Sequence, residues 1–518
     1  MFQRLIELIK DAIRSMVAYQ DITDVIKTDG ETVSSKMTQA FDEWQRIYKN
    51  QAPWLNSETG IVSLAKAKKA CEAITTTVLN EYKFYAIPED YDVESGEDIQ
   101  EDSRAAYINN IIDEHLNHKL KEKIEYAFAM GGCIVKPFIS NGQIYFDFVN
   151  QGDFYPIAFD DDGNITDIAF IDRFVSGNSL YTRIERHTFA DGKIVIENKA
   201  FQANYNANNP DNQDLGNEID LKSVDKWAGL EPEVKIEDAT QQLFGYFRVA
   251  NANNIDMHSP LGISLFANAI NTLEKIDRQA ARLDWEYDGG ELAIDADCNA
   301  LVLPKQQLIK GKLDVLHLPH SKKRLFRGID RGQDDTYSVF SPQLRDDSYL
   351  AGLNAYLMEA EDQMGLSRGS LGARVDFSTK TATEEIIAKQ MAYNHVVDNQ
   401  ASLEKCLRDV ANAIGMYLDL YSKELNVPKG KYEIVINWND SILTDRDTEL
   451  NAKKALVDMN VMSKAELRAW YFKEPLGVAA EQVQNIIDNN RANFNNDLFG
   501  DTGQEDEGED NGSENTDK

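Results

Sequence analysis

Basic side chains concentrated within an acidic chain are the residues here best able to recognise something. From Pro304 to Arg331 stand Lys305, Lys310, Lys312, Lys322, Lys323, Arg324, Arg327 and Arg331 against Asp314 and Asp330, a local net of 8 − 2 = +6. A smaller group, Arg368, Arg374 and Lys380, falls in the Gly/Ser-rich stretch Leu366 to Lys380. Either group would attract phosphate or an acidic protein surface, and lysines on a solvated face are the plain alternative. The whole chain carries 54 Lys and Arg against 87 Asp and Glu, a formal charge of 54 − 87 = −33. Asp501 to Lys518 hold eight acids and one lysine, so −33 − (−7) = −26 remains without them. Such a body has no general affinity for phosphate backbones or anionic membranes, and any contact with nucleic acid must be local.

Other patterns that could carry chemistry lack part of what the chemistry needs. Gly365-Leu-Ser367-Arg-Gly369 has the G-x-S-x-G form of a hydrolase elbow, but a helical stretch precedes it where the elbow requires a strand; a helix-capping glycine and a loop explain it. Asp160-Asp-Asp-Gly163-Asn164 lacks the alternating ligands and terminal glutamate of a calcium loop and fits a hairpin turn. His115/His118 and His317/His320 supply two metal ligands each without a third and fourth at suitable spacing. Gly192-Lys193 and Gly311-Lys312 are not followed by Ser or Thr, and no GxGxxG, HExxH or kinase signature occurs. No cofactor and no catalytic or metal residue is therefore expected. Cys71, Cys133, Cys298 and Cys406 are too few and scattered for a disulfide framework or thiolate zinc site, which suits a reducing compartment.

The elements that must position the basic groups can be read from periodicity. With 518 residues, 42% hydrophobic, the chain can build more than one core. Met1 to Lys10 reads as an amphipathic helix rather than a signal peptide, since Glu7 interrupts its apolar stretch and no cleavage site follows. The longest uncharged run, Met257 to Leu273, has seventeen residues including Pro260 and several polar ones, too short for a membrane span. Helical spacing marks Phe41–Tyr48, Ser63–Leu79 and Ile108–Ala129. From Gly131-Gly132 the texture becomes β: Ile134–Ile139, Ile144–Val149, Ile165–Phe174 and Ile194–Phe201, separated by turn signals, predict an antiparallel meander, and Gln242–Val249 adds a strand. Ser259-Pro260 predicts a helix from Leu261 to Tyr287, roughly 40 Å long. Ser341-Pro342 predicts its antiparallel partner, Leu344 to Met364, with Gly365 as C-terminal cap. The cluster of eight basic residues thus belongs at the tip of a two-helix stalk. Thr381 to Leu425 predicts one helix of roughly 65 Å, opened by the capping box Thr381-Ala-Thr-Glu384. Lys431–Trp438 reads as a strand, Ser441–Met459 and Ser463–Tyr471 as helices, and the acidic tail as disordered. The fold class is α+β.

The order of several stretches resembles the portal proteins of tailed bacteriophages of Gram-positive hosts, siphovirus-type. They are Trp44 with Tyr48, AFAMGGCIVK at Ala127–Lys136, SPLGISLFANAINTLEKI at Ser259–Ile276 continuing to Asp277, FSPQLR at Phe340–Arg345, Gly365-Leu366-Ser367, TATE at Thr381–Glu384 and WNDSI at Trp438–Ile442. The resemblance implies a homo-oligomeric ring, usually of twelve subunits, at one capsid vertex, through which double-stranded DNA is packaged and ejected. It implies no catalysis. By resemblance, residues 1–258 form a wing with a helical N-terminal part and the β meander at about 131–250. Residues 259–288 and 342–365 would be the stem helices, 289–341 a small α/β clip and 366–380 the tunnel loop. Residues 381–439 would be the long helix and wing strand, 440–495 a helical crown, and 496–518 an acidic disordered tail. Terminase, head-to-tail connector, major capsid and scaffolding proteins are the implied partners, with no membrane. The implied location is the virion, and the host cytoplasm during assembly. The expectations are that Arg368, Arg374 and Lys380 touch passing phosphate and that the clip basics engage terminase or connector. A metal-dependent nuclease among the many carboxylates, and an acidic capsid or adaptor subunit without a DNA channel, are the alternatives.

Overall fold

The computed structural model describes residues 25, 33–80, 82–89, 91, 99–100, 102–140, 142–205, 215–297, 326–329, 337–373, 382–423, 425–438, 446–472 and 476–499. The chain divides into two compact units, one of Met1–Tyr85, Ile108–Val427 and Ile434–Trp438, the other of Ala86–Tyr107, Pro428–Glu433 and Asn439–Lys518. Mixed helix and antiparallel sheet place the chain in the α+β class.

The first unit begins with α1 (Ser35–Tyr48) and α2 (Lys66–Val78), whose apolar positions recur at helical spacing. Met37, Phe41 and Trp44 of α1 and Ala70, Cys71 and Ile74 of α2 are buried. Strand β1 (Lys83–Pro88) follows. The helix expected over Ile108–Ala129 is interrupted: α3 (Arg104–Ile111) passes through a π-helical turn at Ile112–Asn117 into α4 (His118–Met130). Ile112 and Leu116 within that turn remain buried, so the widened turn keeps the apolar stripe facing the core where an unbroken helix would rotate it away.

The expected meander is antiparallel as read, but it forms two sheets. Strands β2 (Gly132–Ser140) and β3 (Gln143–Asn150) join β10 (Gly245–Arg248) in the order β10-β2-β3. Strands β4 (Phe154–Phe159), β5 (Ile165–Ser176), β6 (Ser179–Ala190), β7 (Lys193–Asn204) and β8 (Asn217–Ile219) form the second sheet in chain order, with β9 (Glu233–Ile236) also paired to β7. Strand β6 escapes the sequence reading because charged and buried residues mix along it, including Glu185 and His187.

Helix α5 (Ile270–Gly289) starts nine residues after the expected start at Leu261. Residues 261–266 are not helical because they thread the core: Leu261, Ile263, Leu265 and Phe266 are buried, and Leu265 N–H donates to Phe128 O at 2.9 Å. Gly262 permits the passage, since a Cβ there would stand 2.1 Å from the Gly131 carbonyl oxygen. After α5 come β11 (Ala293–Asp297), β12 (Phe326–Ile329) and β13 (Tyr337–Phe340), ordered β12-β11-β13 with β11 and β12 parallel. Helix α6 (Asp346–Gln363) then returns against α5, starting two residues later than expected.

Helix α7 (Ala382–Leu420) has 39 residues, about 58 Å. Its middle is core: Leu403, Cys406, Leu407, Val410, Ala413 and Ile414 are buried. Ala413 lies in a cluster with Ile194, Ile236, Ala239 and Leu243. The helix lies so close to β10 that a Cβ on Gly245 would be 2.1 Å from Cys406 O. Residues one to two turns apart on that face hold the segment before and after β10: Asn399 Oδ1 accepts from Ala250 N–H (3.1 Å), Ser402 Oγ donates to Arg248 O (2.5 Å), and Asp409 O accepts from Gln241 Nε2 (2.8 Å). Strand β14 (Tyr432–Asn437) follows, and β1 and β14 pair.

The second unit contains α8 (Arg446–Asp458), α9 (Lys464–Phe472) and α10 (Leu476–Phe499). Ser463 caps α9 through a reciprocal box with Glu466, the hydroxyl accepting from Glu466 N–H at 3.1 Å and the carboxylate from Ser463 N–H at 2.6 Å. No described helix is long and apolar enough to cross a membrane.

Candidate functional site

Of the expected contact residues, the structure describes the surroundings of Arg368 alone. Arg374, Lys380, Lys305, Lys310, Lys312, Lys322, Lys323, Arg324 and Arg331 lie outside the described residues. For Arg327 only the backbone is described, in β12, in register with Asp295 of β11.

The α5/α6 hairpin carries the candidate site at each end. At the end nearer the small sheet, Glu286 of α5 takes Arg345 in a two-pronged ion pair (Nε–Oε1 3.1 Å, Nη2–Oε2 2.7 Å) and also accepts the Arg345 N–H at 2.9 Å. These bonds from Arg345 hold the Glu286 carboxyl below its ordinary range. Along the hairpin Gln279 Nε2 donates to Tyr349 O (3.1 Å) and Thr272 Oγ1 to Gln363 Oε1 (2.8 Å).

At the other end α6 stops at Gly365, as the sequence predicted, with φ +65°. Gly365 N–H bonds Asp362 O (3.2 Å) and Leu366 N–H bonds Glu361 O (2.9 Å), the two bonds of a Schellman motif. Loop 366–373 is then folded on itself. Ser370 donates to Ser367 O through both N–H (3.1 Å) and hydroxyl (2.6 Å), and Gly372 N–H bonds Gly369 O (3.0 Å). Arg368 turns back on the helix: Nη1 donates to Met358 O at 2.6 Å and Nη2 pairs with the Asp362 carboxylate, leaving the side chain 27% exposed. Two of the five guanidinium N–H donors are thus committed to α6, and the partly exposed remainder is what Arg368 can offer a phosphate while it stays paired to Asp362.

Three residues at this junction were not singled out in the sequence. Glu361 is fully buried, and its carboxylate accepts from Gly369 N–H (3.0 Å) and Leu371 N–H (2.8 Å). Asp277 of α5, also buried, accepts from Leu64 N–H and Trp54 Nε1, both at 2.9 Å. Burial pushes its carboxyl up against the pull of those two donors and of Lys66. Lys66, the first residue of α2, donates Nζ to Leu371 O at 2.7 Å, and burial lowers its ammonium pKa. A groove of about 550 Å³ lies between loop and helix, lined on one side by Lys66, Lys68 and Lys69. The run Lys66-Ala-Lys68-Lys69 was visible in the sequence, but nothing local ties it to residue 371. Glu361 and Asp277 read there as ordinary acids of amphipathic helices.

The remaining motifs have structural roles. Asp160 closes the β4–β5 turn, its carboxylate accepting from Asp162 N–H, Asn164 N–H and Asn164 Nδ2. His115 packs against Tyr145 with ring centroids 4.5 Å apart. His317 and His320 lie outside the described residues. Among the described residues no group of three or more His, Cys, Asp or Glu could hold a metal ion.

The chain matches a protein family described as "Phage portal protein, SPP1 Gp6-like" over residues 41–486. No curated protein sequence matches it. Among solved structures it is similar to a chain of "Neck of empty GTA particle computed with C6 symmetry", at 12% identity and TM-score 0.39, over 81% of this chain and 92% of that one.

Proposed function

The chain belongs to the phage portal proteins of the SPP1 Gp6-like family, and from that premise we propose that its copies close into a ring whose bore conducts double-stranded DNA into and out of the capsid. The match over residues 41–486 carries this reading, because it spans both units rather than one motif. Portal proteins of this family are structural and belong to the virion. The finer assignment is part of the proposal: α5 and α6 are the stem, 289–341 the clip, 366–380 the tunnel loop, α7 the long wing helix, and 440–495 the crown.

The physical reading supports a conduit. A heterologous contact repeated about a closed axis gives a ring. A wall of a chain at net −33 repels phosphate, so a duplex is centred and slides instead of binding. Arg368, Arg374 and Lys380 supply weak, sequence-independent contacts on that path, and Lys66, Lys68 and Lys69 line the groove beside the described part of the loop. The basic tip, Lys305 to Arg331, docks terminase during packaging and the head-to-tail connector afterwards.

Negative-stain electron microscopy of the purified protein tests the ring. Top views with a central hole of about 20 Å or more, the breadth of a duplex, are expected; monomers or closed particles, with and without scaffolding protein, refute it. Alanine at Arg368, Arg374 and Lys380 together is expected to impair DNA packaging and retention. Charge reversal across the eight clip residues is expected to abolish binding of terminase and connector.

A further inference from the structure

We propose that Glu361, with Lys66 and Asp277, forms a buried rivet that fixes where loop 366–373 stands on the helical hairpin, making Glu361 a positioning residue for the loop's contact with DNA. The inference rests on the portal reading of the loop.

Leu371 shows the rivet most directly. Its N–H is held by the Glu361 carboxylate of α6 and its carbonyl by the Lys66 ammonium of α2, at 2.8 and 2.7 Å. Both polar groups of one buried loop residue thus end on charges that belong to two different helices. The second carboxylate oxygen takes Gly369 N–H, two residues earlier, so the intervening turn cannot slide along α6. Asp277 fastens α5 to the segment that leads into α2, through Leu64 N–H and Trp54. Lys66 sits in the field of both acids. Two hairpin helices, α2 and the loop therefore meet at one block of charges.

Ordinary helix capping does not require this arrangement. The Schellman bonds at Gly365 and Leu366 already serve the end of α6. Glu361 lies in the last turn of that helix, where the helix dipole disfavours an anion, and it is stripped of water. A carboxylate kept at so unfavourable a place gives the loop two charge-assisted bonds and one defined height.

The test uses the full-length protein assembled as rings and in particles, comparing wild type with Glu361→Gln. Glutamine keeps one acceptor oxygen but sets an amide N–H₂ against a backbone donor, so one loop bond is lost. Hydrogen exchange at Gly369 to Leu371 is expected to quicken about tenfold or more, with ring assembly retained. DNA retention in filled particles is expected to fall severalfold, a loss that a role confined to folding would not produce once rings have formed. Unchanged exchange, or faster exchange with wild-type retention, overturns the inference. Should Glu361→Gln fail to assemble, Lys66→Met carries the test by freeing the Leu371 carbonyl and removing the cation beside Glu361 and Asp277; wild-type exchange at Gly369 to Leu371 in that ring overturns the inference equally. Wild-type rings that neither package nor hold DNA would instead refute the portal reading beneath it.

Discussion

Replacing Glu185 should cost the two sheets it joins far more than replacing its partner Lys136, and the geometry fixes the order. Lys136 of β2 donates Nζ to Glu185 Oε1 of β6 at 2.7 Å, joining the two sheets. The same carboxylate receives Arg183 Nη1 at 2.8 Å and His187 Nε2 at 2.7 Å. Burial alone would raise the Glu185 carboxyl, but Lys136, His187 and Arg183 outweigh it and hold it well below its ordinary range. One acid thus answers a buried ammonium, a partly buried guanidinium and a buried imidazole. Glu185→Gln leaves buried Lys136 without this counter-charge and Arg183 with Asp172 at 3.9 Å in its place, a loss of about 3–5 kcal/mol. Lys136→Met leaves Glu185 still held by Arg183 and His187 and removes one charged hydrogen bond, about 1–3 kcal/mol. The double variant should lose less than the sum, because the two changes share one network. Urea unfolding followed by the NMR signal of the Trp227 indole N–H reads this locally, since that N–H donates to Asp172, which lies 3.9 Å from Arg183 Nε. Because a chain of two units can unfold in stages, the transition reported by Trp227 is the one to compare. A Lys136→Met loss equal to or larger than that of Glu185→Gln would refute the account.

Gly245→Ala places a Cβ 2.1 Å from Cys406 O, where neither backbone can yield, and should cost about 3 kcal/mol or more, read as a large fall in Tm. Gly365→Ala puts a Cβ 2.5 Å from His395 Nδ1 at φ +65°, for about 1–3 kcal/mol; His395→Ala should return the steric share and leave the backbone share, so the double variant loses less than the sum. Burial raises the Asp409 carboxyl to about 6, so its ionised form is disfavoured in the fold above that pH and the penalty disappears as pH falls toward the ordinary carboxyl value. Asp409→Asn should accordingly raise Tm at pH 7 to 8 and leave it unchanged near pH 4. His187 has the opposite sign: burial lowers its imidazole despite Glu185, so stability is lost as pH falls below the ordinary histidine value of about 6.5, and His187→Gln should flatten the fall of Tm as pH drops below that value.

Much of the framework was legible because it follows from local pattern. The stop at Gly365, the hairpin turns at Gly142 and at Asp191-Gly192, and the length of α7 all rest on glycine conformation or helical periodicity within a short window. The start of α5 was misread because Ser259-Pro260 is a valid helix opening by local rules, while the burial of Leu261 to Phe266 against Phe128 is a long-range event. The same limit hid the junction at Leu371. Glu361, Asp277 and Lys66 are separated by up to about three hundred positions, and each alone looks like a surface charge. Acids and lysines betray a structural role through whom they meet, and single-sequence pattern carries no record of meetings.

The fork between Glu286 and Arg345 ties together the two points where the chain leaves for the small sheet and comes back. A segment whose ends are already joined adds little closure entropy when its length changes. What lies beyond that fork is thus free to be rewritten, lengthened or exchanged while the hairpin keeps its registry. The fork marks where variation in length is cheapest, and related chains should differ most in length just past it.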